Sequence, residues 1–109
     1  MELQKATGYQ QYPEQHAEFE AITRQLVKLF AAKAADYGPM AIAGMGEVGI
    51  TVRLWDKIAR LLNLMGFNVQ TGQINPGQIP KNESIDDTLL DLASYAIIML
   101  VYRRGKWGK

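Results

Sequence analysis

The reading of GMGEVG, residues 44–49, decides the fold. It fits the spacing G-x-G-x-x-G, and two architectures compete for it. In an α/β chain it would be a phosphate turn between a strand and a helix. In a helical chain it is only a glycine-rich connection. The dinucleotide fingerprint needs a strand before it, a helix opening within it and an acidic residue roughly 20 positions further on. Before Gly44 stands PMAIA, behind the Gly38-Pro39 break, which makes a poor strand. The region where the acid should fall is NLMGFNV, with no acid. The segment therefore reads as a loop that ends with Gly49 at a helix start. Amides facing an anion at that helix N-terminus remain compatible with it.

On either side of this loop the apolar spacing is helical. Phe19, Ile22, Leu26, Leu29 and Phe30 recur at three and four, predicting a helix that stops near Tyr37. Residues 38–49 read as loop, with room for one short helical turn. A second helix is expected over 50–65, with Leu54, Ile58, Leu61 and Met65 as its stripe and Trp55 and Leu62 widening it. Gly66 is its natural cap. Residues 66–82 are rich in Gly, Pro, Asn and Gln and predict a long connection with an extended piece at FNVQ. A last helix is expected over 83–103, capped by Asn82, with acids in its first turn and Arg103 and Arg104 at its end. The expectation is an all-α fold: three main helices and long loops, with residues 1–13 an arm and 14–109 a single domain. The wide apolar faces of the second and last helices predict completion by a second copy, most simply in a symmetric dimer.

Composition sets outer bounds. A chain of 109 residues suits one modest core. Apolar residues make up 48% and the net charge is +1, which predicts a folding chain with no strong pull toward nucleic acid or anionic membrane. With no cysteine, disulfides and thiolate metal sites are excluded. The first 15 residues show no secretory h-region, and the longest apolar run, LASYAIIMLVY, is shorter than the ~20 residues a membrane span needs. The expected location is the cytoplasm.

The chemical signal lies in NESIDDTLLDLASYA, residues 82–96. Glu83, Asp87 and Asp91 fall at i, i+4 and i+8, on one helix face, with Asp86 beside them. Like charges at this spacing repel by a few tenths of a kcal/mol per pair. A divalent cation such as Mg²⁺ would offset that, since it prefers carboxylate oxygens. The competing reading is a solvated N-terminal face held by the helix dipole. That accounts for Glu83, Asp86 and Asp87 but leaves Asp91 unexplained. The second helix carries Arg53, Asp56, Lys57 and Arg60, either a solvent-facing stripe with an Asp56–Arg60 pair or a mixed site for metal and phosphate. Lys33, Asp36 and Tyr37 close the first helix, a charged terminus on the simplest reading. The lone His16 suits the surface. Ser84 and Ser94 lack a neighbouring base, which argues against a nucleophilic triad. The basic tail YRRGKWGK reads as a solvated end, with contact to a phosphate as the alternative.

Taken in order, KAADYG, GEVGITVRLWDKIARLLNL and NESIDDTLLDLASYAIIM resemble the nucleotide modification associated domain 1 family. That family, encountered in phage and bacterial sequences, is similar to the all-α MazG-like nucleoside triphosphate pyrophosphohydrolases. The resemblance spans roughly residues 19–103 and includes Gly46-Glu47 and Gly49. It implies an oligomeric helical fold, in the host cytoplasm if phage-encoded, with Mg²⁺ on acidic side chains. In MazG-like enzymes water attacks a triphosphate to give a monophosphate and pyrophosphate. Carried over, Glu83 with Asp87 or Asp86 match the acidic pair and Asp91 the aspartate that follows. Asp56 and Lys57 match a DK pair, Arg53 and Arg60 its basic neighbours, and Lys33, Asp36 and Tyr37 a K-x-x-D-Y-G motif. The implied roles are catalysis for Glu83 and Asp87, metal binding for these with Asp86, Asp91 and Asp56, and nucleotide binding for Lys33, Asp36, Tyr37, Arg53, Lys57 and Arg60. Tyr37, Trp55 and the 66–82 loop are candidates to hold the base. One departure stands out: the E-x-x-E pair usual on an earlier helix is replaced by Asp56 beside Lys57. Three functions follow: a pyrophosphohydrolase, a module that binds nucleotide without turnover, and a helical interaction protein with no ligand.

Overall fold

In the computed structural model, residues 10–68, 70–75 and 85–109 are described. They carry helices α1 (Pro13–Tyr37), α2 (Met40–Ala43), α3 (Gly46–Leu64) and α4 (Ile85–Arg103), and no strand occurs among them. The all-α expectation is met. The chain divides into two compact units, Met1–Ala35 and Asp36–Lys109.

α1 ends at Tyr37, as its spacing predicts, and Gly38 follows with φ 71. Of its apolar stripe only Leu26 is buried; Phe19, Ile22, Leu29 and Phe30 stay exposed.

In the second unit α3 and α4 pack antiparallel, because Glu47 meets Arg103 at one end and Lys57 meets Asp91 further along. The core forms at the first of these levels. Ala43, Ile50 and Ile98 are buried there, with Ile42, Tyr95, Met99, Tyr102 and Trp107 packed against them. Fully burying a side chain such as Ile50 stabilises by roughly 1.5–3 kcal/mol.

The residues of α3 that turn toward α4 recur at 50, 54, 57, 61 and 64, one helical stripe. This differs from the expected stripe. Ile58, Trp55 and Met65 lie outside it and are exposed, while Lys57 lies within it. Apolar periodicity skips a lysine, whose charge needs a partner in such a position, and Asp91 is that partner.

The glycine-rich segment holds the short helical turn expected within it, at 40–43, but α3 begins at Gly46, four residues earlier than expected. Gly46 turns into the helix with φ 68, and a Cβ there would lie 3.3 Å from the Tyr102 hydroxyl. A Cβ on Gly49 would come within 2.6 Å of the Met45 Cβ, so close packing requires glycine there. The Glu47–Arg103 ion pair, at 3.3 Å, anchors this first turn despite its two glycines.

Both long helices of this unit end in one hydrogen-bonding pattern. Gly66 donates to the Asn63 carbonyl and Phe67 to that of Leu62; Gly105 donates to Tyr102 and Lys106 to Val101. These are Schellman ends, with φ 81 and 70 at the two glycines. Beyond the first, Phe67 and Ile74 form an isolated antiparallel bridge; of the extended piece expected at FNVQ, Phe67 alone pairs, Gln70 is in a turn and Val69 lies outside the described residues. The Asn68 side-chain oxygen accepts from the Gln70 and Thr71 amides and shapes that turn.

The tail is not a solvated end. Trp107 donates its indole N–H to the Pro39 carbonyl at 2.9 Å and lies against the core. Its sequence gave no periodicity to reveal this, being a single aromatic among lysines and glycines. Replacing Trp107 with Ala is expected to cost about 2 kcal/mol, from lost burial and a lost hydrogen bond. Replacing the exposed Trp55 with Ala should stay within about 0.5 kcal/mol. Urea midpoints of the two variants check the contrast.

Candidate functional site

Five of the candidate residues, Arg53, Lys57, Arg60, Asp87 and Asp91, fall on one flank of the α3–α4 pair. Lys57 Nζ lies 3.2 Å from Asp91 Oδ2, with side chains 16% and 30% exposed. This is a half-sheltered pair between helices, unlike the surface pair Arg24–Glu20, where both partners are in open solvent. Arg53 and Arg60, four before and three after Lys57, share its side of α3. Asp87, four before Asp91, shares that side of α4. Three cationic positions on α3 therefore run beside two acidic positions on α4, with the central charges in contact.

The remaining candidates are placed as follows. Arg53 Nη1 reaches Asp56 Oδ2 at 3.9 Å within α3, an exposed contact at i+3 rather than the Asp56–Arg60 spacing expected. Asp86 and Asp87 are exposed at the start of α4. Asp86, five positions before Asp91, points well away from it around the helix, toward the outer face. Trp55 stands on the far side of α3 from Lys57 and is exposed. Asp36 and Tyr37 close α1 in solvent, and Lys33 is exposed on the same helix in the first unit. Glu83 lies outside the described residues, as do Asn82 and the end of the 66–82 connection.

Asp91 now has a physical account. The helix dipole does not reach it, but the Lys57 ammonium does. Reading the α3 stripe through the charged position would have found this pair, since opposite charges then fall at facing levels. Among the described residues, no three Asp, Glu or His side chains come together as a metal site. Asp87 and Asp91 alone share a flank, and Asp91 already faces an ammonium. Glu83, the carboxylate that would join Asp87 in holding Mg²⁺, lies outside the described residues.

Chemically, the flank offers guanidinium forks at both ends of a neutralised centre. Arginine binds phosphate through paired N–H donors, so Arg53 and Arg60 suit two phosphoryl groups better than a single point charge would. The Lys57–Asp91 pair holds the helix carrying the arginines in register with α4.

Compared with protein-family models, with curated proteins and with solved structures, the chain matches none.

Removing one member of the pair leaves a half-buried charge uncompensated. Asp91→Asn is expected to destabilise by about 1–2 kcal/mol, between the exposed and fully buried limits. Combined with Lys57→Met, the loss should be smaller than the two single losses added. A double-mutant cycle from chemical denaturation measures this; strict additivity would mean the contact contributes nothing.

Proposed function

We propose that this chain binds a nucleoside triphosphate, with Arg53 and Arg60 taking phosphoryl oxygens along the α3 flank. The observation that carries this reading is the row of cationic positions beside Asp87 and Asp91, with Lys57 engaged by Asp91. The resemblance of the three motifs supplies the ligand class. An engaged Lys57 and Asp91 favour a module that holds or senses a nucleotide without turnover. The protein works as an assembly of copies, which would complete the helical fold.

A second reading keeps the chemistry of the resemblance: Mg²⁺-dependent hydrolysis to a monophosphate and pyrophosphate. It rests on Glu83 and Asp87, spaced i, i+4 at the start of the last helix. Glu83 and Asp87 would be the carboxylates that hold Mg²⁺ there, and the ion would supply an activated water. Within this chain, Arg53 and Arg60 would neutralise charge gathering on the phosphates in either reading.

Calorimetric titration with each canonical ribo- and deoxyribonucleoside triphosphate, with and without Mg²⁺, tests the binding proposal. Arg53→Ala and Arg60→Ala should each weaken binding by about tenfold, the loss of one charge-assisted contact. If no triphosphate binds or raises the melting temperature, the proposal fails. Pyrophosphate release in the presence of Mg²⁺ decides the second reading. Glu83→Gln and Asp87→Asn should abolish any such release, and activity that survives both would place the chemistry elsewhere.

A further inference from the structure

The outer face of α4 is as apolar as its inner one. Leu89, Ile97 and Leu100 are 43%, 47% and 50% exposed, with the small Ala93 and Ala96 between them. No charged residue occurs over 92–102. Over 92–102 this helix is apolar on its outer face as well as its inner one, yet α3 covers only one side of it. The charges sit at its ends and differ in sign: Asp86 at the start and Arg104 just past the finish, both exposed. They are about five whole turns apart, so they bracket the same outer face.

We propose that this face is a two-fold interface in which α4 packs antiparallel on α4 of a second copy. An antiparallel arrangement sets Asp86 opposite Arg104 of the partner subunit, twice by symmetry, while a parallel one sets like charge against like. A self-complementary patch of this kind is what an isologous dimer needs. The midpoint of the stripe falls at Ala93 and Ala96, where small side chains let two helices approach closely. Opposed helix dipoles favour the same orientation. The inference deepens the assembly named above and is independent of any nucleotide.

The test uses the full chain without nucleotide, by sedimentation equilibrium, with circular dichroism to follow folding. The wild type should sediment as a dimer. Ile97→Asp should raise the dissociation constant by about a hundredfold or more, because two symmetry-related side chains lose apolar burial. Asp86→Arg or Arg104→Asp alone should weaken association by about tenfold, two exposed pairs being lost at once. The double reversal restores opposite charges across the axis and should return to near wild-type affinity. A monomeric wild type would overturn the proposal. So would a double reversal no tighter than the single changes, which are on the surface and keep the test open should Ile97→Asp not fold. Since the readout is mass, loss of nucleotide binding and loss of this interface are scored separately.

Discussion

The contact between Lys57 and Asp91 constrains much of the second unit. It places two opposite charges on the stripes where α3 and α4 face each other, and each offsets the other's desolvation there. With that level set, the antiparallel register brings Glu47 to Arg103 at one end and Ile50 beside Ile98 in the core. The same register aligns Arg53 and Arg60 with Asp87 on a single flank. An interaction of modest strength thus specifies geometry: sliding one helix along the other would bury an uncompensated ammonium.

The helices themselves could be read from residue spacing. α1 ends at Tyr37, α3 is closed by Gly66, and α4 runs out at Arg103 with Gly105 behind it, because glycine after an apolar-periodic run marks a helix end. What escaped depends on distant partners. At the start of α3, Gly46 lies where a Cβ would crowd the Tyr102 hydroxyl, and Glu47 pairs with Arg103, both more than fifty residues away. The α3 stripe was misjudged by the phase of one residue, Lys57, since periodicity counts apolar positions and not charges that meet a partner.

The candidate site shows the same division. The i, i+4 spacing of Asp87 and Asp91 and the clustering of Arg53, Lys57 and Arg60 were visible at once, as both follow from helix geometry. That Asp91 answers Lys57 required knowing how two helices align. The wide separation of Asp86 from Asp91 around α4, five positions along the helix, follows from spacing, but an acidic cluster hides it when taken as a group. The glycines of residues 44–49 point to close packing against Met45 and Tyr102, so their resemblance to a phosphate turn arises from a different steric need.

The docking of Trp107 onto Pro39 ties together residues 68 positions apart. Contacts of such long sequence separation form late, because much of the intervening chain must already be ordered. During synthesis α2 and α3 can become helical early, yet the core around Ile50 lacks both α4 and the indole until the chain has emerged through residue 107. At the ~5–20 residues per second typical of translation, that leaves the apolar faces of the unit uncovered for seconds. The core around Ile50 is therefore complete only once both α4 and the Trp107 indole are present.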